Sequence, residues 1–136
     1  MALLAGKVVV VLGASDSRGM GAATARRCLE EGAKVIIAAR SAEKVAAVAE
    51  TLGCIGARCD ITQDNDLQQL TQMALSEYGQ LNVAINFAGI EAGGSIAELD
   101  RETLLNSANV HFAGTALFIR FMAAAMGDTG GSIITT

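Results

Sequence analysis

The tightest constraint on this chain is an apolar run that breaks into glycines. Lys7-Val8-Val9-Val10-Val11-Leu12 leads directly into Gly13-Ala14-Ser15-Asp16-Ser17-Arg18-Gly19-Met20-Gly21. The run is β-branched and does not alternate with polar residues, as expected of a strand covered on both faces of a parallel sheet. Beyond it, Ala22 to Glu31 are mostly good helix formers, and Gly32 follows as a C-terminal cap. The glycines therefore lie at a strand-to-helix turn. Unpaired N–H groups at a helix N-terminus carry partial positive charge, and glycine lets an anion come close to the backbone. Gly13, Ser15, Arg18, Gly19, Met20 and Gly21 thus outline a candidate phosphate cradle. A glycine turn alone is equally a plain tight turn, so the rest of the chain must decide.

Ala33-Lys34-Val35-Ile36-Ile37-Ala38-Ala39 reads as a second buried strand, which makes residues 7–39 one βαβ unit. Arg40 follows it, at the place where a dinucleotide-binding unit reads the adenosine ribose. An acid there would bind the 2′-hydroxyl. Ala39 and Arg40 offer a guanidinium instead, and Arg18 in the glycine turn offers a second, so two cations would converge on a 2′-phosphate. That favours NADP(H) over NAD(H); the plainer alternative is two solvated surface arginines.

Ser41 then reads as the N-cap of a helix running to Leu52 and closed by Gly53. A third strand, Ile55 to Cys59, ends at Asp60. An acid at the C-terminal end of a parallel strand points into the ligand crevice and can accept from an exocyclic amine such as that of adenine. The plainer reading of Asp60 is a helix cap. Leu67, Leu70, Met73, Ala74 and Leu75 recur at helical spacing and predict an amphipathic helix over Asp64 to Tyr78, stopped at Gly79. Leu81 to Ile85 is a fourth strand, followed by Asn86-Phe87-Ala88-Gly89, whose small residues admit close approach to a ligand. Glu91 to Ser95 is a loop.

Asp100 to Met126 reads as one long helix, and from Val110 onward its only charge is Arg120. A helix apolar nearly all round needs cover on more than one side, which points to a homo-oligomer formed through helix 100–126 as well as to the sheet. Ser132 to Thr136 begins a fifth strand with no helix after it to cover its far face. The chain therefore reads as truncated after that strand, with residues 1–136 a partial domain.

Composition removes other classes. With 51% hydrophobic and 18% charged residues the chain expects extensive burial, and a net charge of −4 with no basic stripe argues against nucleic acid. The longest uncharged run, residues 103–119, includes Asn106, Ser107, Asn109 and His111, a poor membrane span. The first cation, Lys7, follows Leu3 and Leu4, the reverse of a signal peptide. Cys28, Cys54 and Cys59 are odd in number and lack metal-ligand spacing, so reduced thiols, no metal site and a cytoplasmic location are expected.

Taken in order, the glycine turn, Asp60-Ile61, Asn86-Phe87-Ala88-Gly89 and the Glu98 to Gly114 approach to the long helix resemble the short-chain dehydrogenase/reductase family over the whole chain. The resemblance implies an α/β fold, a Rossmann-type doubly wound parallel sheet. It also implies NAD(P)(H) bound by residues including Ile61, Asn86, Ala88 and Gly89, and hydride exchange with a small alcohol or carbonyl substrate.

The chain departs from the family pattern in three places. Gly13 and Gly19 enclose five residues where the family has three, so two must bulge. Phe87 replaces the second asparagine of the family's Asn-Asn-Ala-Gly. Aligning Gly114-Thr115 on the family's Gly-Thr places His111 at the asparagine that supports the proton relay, which makes His111 the one candidate catalytic residue; the alternative is a helical histidine packed beside the cofactor site. The family's catalytic Ser, Tyr and Lys have no counterpart here. Tyr78 precedes Gly79 and has Asn82, not Lys, four residues on. The expectation is the cofactor-binding part of an NADP(H)-dependent oxidoreductase, which alone binds without catalysis. The alternative is a short protein that binds a dinucleotide or self-associates without chemistry.

Overall fold

The computed structural model describes residues 2–136. Five parallel strands, β1 (Val8–Leu12), β2 (Lys34–Ala39), β3 (Ile55–Arg58), β4 (Val83–Asn86) and β5 (Ser132–Thr135), form one sheet in the order β3-β2-β1-β4-β5. This is the Rossmann-type order expected from the sequence, and it reverses direction between β1 and β4. Such a reversal leaves a crevice outside the C-terminal strand ends.

The unbroken valines of β1 are explained by burial on both sides. Val8, Val10 and Leu12 face a core built with α3 (Asp64–Tyr78) and α5 (Thr115–Met126), where Leu67, Leu70, Phe118 and Met122 are buried. Val9 and Val11 face the opposite core, built with α1 (Met20–Glu30) and α2 (Ala42–Leu52), with Ala22, Ala25, Val45 and Val48. Successive side chains of a strand point to opposite faces, so a strand buried on both faces must be apolar throughout.

Local chemistry fixes the helix ends. Ser41 Oγ accepts from the Lys44 amide at the start of α2, and Gly53 closes that helix in the left-handed region at φ 71°. Gly79 closes α3 in the same way at φ 74°. A 3-10 turn, Ile96–Glu98, carries a capping box between Ser95 and Glu98.

The long C-terminal helix is continuous but not uniform. α4 (Arg101–Ala108) passes into a π-helical segment, Asn109–Gly114, before α5 begins. The sequence reading of one regular helix is corrected here, since composition does not distinguish a π turn from an α turn. It is also the one helical stretch among the described residues long and apolar enough to cross a bilayer. Its second half instead supplies Phe118, Met122 and Met126 to the core.

Candidate nucleotide-binding site

A crevice of about 510 Å³ opens at the C-terminal strand ends, where the strand order reverses. Its walls bring together Gly13, Ser15, Arg40, Asp60, Ile61, Ala88 and Gly89, seven residues singled out in the sequence, with Ser41, Lys44, Cys59, Phe87, Ile90 and Val110. A second, shallower depression adjoins it, lined by Ser15 to Arg18, Lys44 and the outer face of α2.

The glycines take distinct parts. Gly13 has φ 96°, and a Cβ there would lie 2.6 Å from the Phe87 carbonyl carbon and 2.7 Å from the Ala88 nitrogen. Only glycine lets β1 end against the β4 turn so closely. A Cβ on Gly21 would lie 2.5 Å from the Gly13 carbonyl oxygen, so Gly21 allows α1 to pack onto the turn it leaves. Gly19 is the N-cap of α1, with ordinary extended backbone and a nearest contact of 3.3 Å from a Cβ to the Asp16 carbonyl. A side chain at Gly19 would therefore need the Asp16 backbone to give by only a few tenths of an ångström, far less than at Gly13 or Gly21.

The longer glycine turn is ordered by Asp16, whose Oδ1 accepts from the Arg18 amide at 2.9 Å. That bond, together with the Arg18 charge, holds the Asp16 carboxyl below its ordinary value despite some desolvation. The Arg18 side chain pairs with Asp16 at 3.7 Å and is 90% exposed. Arg18 lines the outer depression and not the crevice that holds Arg40, so the convergence of the two guanidinium groups expected from the sequence is not formed. Met20, 68% exposed, lines neither cavity.

At the β3 end, Asp60 makes a tight local turn. Its Oδ1 accepts from the Thr62 amide at 2.9 Å and the Thr62 hydroxyl at 2.7 Å, and its own amide donates to Asp66 Oδ2 at 3.0 Å. Desolvation opposes the charge on Asp60, but the Thr62 hydrogen bonds and the guanidinium groups of Arg40 and Arg58 outweigh it and keep the carboxyl below the usual range. Oδ2 makes no hydrogen bond among the described residues. The neighbouring Cys59 thiol is pushed up to about 12 by burial first, then by the charges of Asp66 and Asp60. It is an inert, neutral wall.

The β4 end is shaped from below. Asn86, which the family resemblance implied as a cofactor residue, is 1% exposed, and its Oδ1 accepts from the Ala88 amide at 2.8 Å. It sets the turn that presents Ala88 and Gly89 rather than lining the crevice itself. The His111 ring packs on Gly89, where a Cβ would lie 2.9 Å from Cε1, and its Nε2 reaches Ile90 O at 2.9 Å and Ile90 N at 3.2 Å. His111 therefore bridges the π segment to the crevice wall, and no side-chain hydrogen bond of Asn109 is found among the described residues.

Lys44 was missed in the sequence. The available signal was its place in the first turn of the helix that starts where Arg40 leaves the sheet, three residues after the N-cap Ser41.

Fold and site together define a Rossmann-type α/β unit with its crevice at the topological switch point. Comparison with known proteins narrows this. The family model described as short chain dehydrogenase matches residues 7–136, and the chain belongs to that family. It is 35% identical over 139 residues to the Arabidopsis thaliana protein Short-chain dehydrogenase reductase 5, covering 98% of this chain and 53% of that one. It is also 35% identical over 141 residues to 2,5-dichloro-2,5-cyclohexadiene-1,4-diol dehydrogenase of Sphingobium indicum, covering 100% of this chain and 56% of the relative. Among solved structures, a short chain dehydrogenase from Mycobacterium smegmatis superposes with a TM-score of 0.92 at 27% identity, covering 99% of this chain and 58% of that one. An actinorhodin polyketide ketoreductase crystallised with NADPH gives 0.89 at 28% identity, covering 99% and 54%. The chain spans about half the length of the curated relatives it matches.

Proposed function

We propose that this chain is the cofactor-binding part of an NADP(H)-dependent oxidoreductase that exchanges hydride with a small alcohol or carbonyl substrate. The observation that carries the reading is the crevice at the strand-order reversal, which gathers Gly13, Ser15, Arg40, Asp60, Ala88 and Gly89 on its walls. The residues fit a dinucleotide. The glycine turn and the α1 N-terminus would hold the pyrophosphate, with Gly13 and Gly21 keeping the turn tight and Gly19, without a side chain, letting the anion approach the N-cap. Asp60 Oδ2 would accept from the adenine amine, Arg40 would meet a 2′-phosphate, and Ala88 and Gly89 would admit the nicotinamide ribose. The bound nicotinamide supplies the hydride chemistry. The relative crystallised with NADPH supports the cofactor class.

The residues of this chain hold and orient; among the described residues none is placed to protonate a carbonyl oxygen. Tyr78 lies at the end of α3 with the Lys34 ammonium 5.2 Å from its ring centre, away from the crevice. His111 has its Nε2 engaged with Ile90, which favours a role in holding the wall over proton transfer. The chain alone therefore binds cofactor without turnover. Leu104, Leu105, Phe112 and Ile119 are exposed along the long helix, and they support self-association through helix 100–126 in a soluble cytoplasmic protein. Titration of the full chain with NADPH and NADH, followed by nicotinamide fluorescence, should show saturable binding that is tighter for NADPH. Absence of binding to either would overturn the reading.

A further inference from the structure

We propose that Lys44, and not Arg18, is the second cation that selects for a phosphate on the adenosine ribose; this rests on the NADP(H) reading above. A phosphate monoester carries close to two negative charges at neutral pH, so one guanidinium leaves it undercompensated. Arg40 in addition faces Asp60, whose carboxylate draws on the same positive charge. Arg18 lines only the outer depression, where its exposed guanidinium pairs with Asp16 at 3.7 Å. Lys44 is near enough to Asp16 to help stabilise its carboxylate but forms no ion pair among the described residues, and it lines both the crevice and the outer depression, at the rim they share with Ser15.

The fold explains the placement. β2 ends at Ala39, Arg40 leaves the sheet, Ser41 caps α2, and Lys44 follows within the first helical turn. The residue after the strand and the residue one turn into the next helix therefore border the same space. An ammonium on a flexible stem supplies a point charge with three donors and needs no bidentate geometry, so it complements a guanidinium approaching from the crevice side.

The test is calorimetric binding of adenosine 2′,5′-bisphosphate and of 5′-AMP to the full chain and to Lys44→Met, Lys44→Arg, Arg18→Gln and Arg40→Gln. Lys44 is exposed, so its variants should keep the wild-type circular dichroism. Lys44→Met should weaken the bisphosphate about tenfold or more, the loss of one charge-assisted contact. It should leave 5′-AMP within about twofold, Lys44→Arg should retain most of the affinity, and Arg18→Gln should change little. Unchanged bisphosphate binding in Lys44→Met, or a larger loss in Arg18→Gln, overturns the assignment. If Arg40→Gln still loses the bisphosphate selectively, the NADP(H) reading survives that result. If the wild-type chain binds both nucleotides equally, the NADP(H) reading falls and the assignment with it.

Discussion

His111 Nε2 lies 2.9 Å from the carbonyl oxygen of Ile90 and 3.2 Å from its amide nitrogen. One ring nitrogen either donates to the carbonyl or accepts from the amide; it cannot do both at once. An asparagine amide has a separate donor and acceptor and can meet both groups. His111→Asn should therefore hold or raise the melting temperature and the dinucleotide affinity, whereas His111→Ala should cost about 1 kcal/mol and weaken binding through a looser Ile90 wall. A His111→Asn variant less stable than His111→Ala would show that the ring's packing on Gly89, not the polar contact, is what matters.

The two kinds of glycine in the turn separate folding from binding. Gly13→Ala must adopt φ 96° and meet backbone at 2.6 Å, and Gly21→Ala meets the Gly13 carbonyl at 2.5 Å. Each should lower stability by about 1–3 kcal/mol in denaturant unfolding. Gly19→Val sits on ordinary backbone at the N-cap, where the Asp16 carbonyl at 3.3 Å must give by a few tenths of an ångström and the Asp16 Cβ lies at 3.6 Å. It should fold near the wild-type midpoint and lose dinucleotide binding. Retained affinity in Gly19→Val would place the pyrophosphate elsewhere.

Asp60 sets a pH dependence. Its folded carboxyl lies below the ordinary 3.8, held there by Thr62 and by Arg40 and Arg58 against desolvation. A depressed carboxylate adds stability above its unfolded value and loses it as pH falls through the folded one. The stability difference between wild type and Asp60→Asn should be constant from neutral pH to about pH 5 and shrink below about pH 3.8. Urea midpoints across that range measure it; a difference that grows on acidification contradicts the assignment.

Much of this was legible in the sequence because the signals were local. The valine run, the Ser41 and Gly53 ends of α2 and the Gly79 stop of α3 each follow from residue chemistry at one place, and the structure keeps those positions. Side-chain direction was not legible. Asn86 and Met20 sit in the right stretches, yet Asn86 turns inward to Ala88 and Met20 turns out to solvent. Arg18 was assigned because the glycine loop was expected to bring it near Arg40 in space, but it pairs with Asp16 and lines the outer depression instead. The π segment at Asn109–Gly114 left no compositional trace, although it contains the residue that reaches Ile90. Lys44 read as one more solvated helix cation, because only the sheet geometry shows that the first turn of α2 borders the crevice.

Arg40 is the residue on which the cofactor reading turns, and its charge reversal provides the sharpest measurement. Dissociation constants of NADPH and NADH should be determined for wild type and Arg40→Asp by calorimetry at one fixed salt concentration. The wild-type chain should prefer NADPH. Arg40→Asp should weaken NADPH about a hundredfold, through loss of a guanidinium–phosphate contact and gain of a repulsion, while NADH changes little or tightens through the ribose hydroxyl. An equal loss for both dinucleotides would contradict the 2′-phosphate role of Arg40 and the NADP(H) preference built on it.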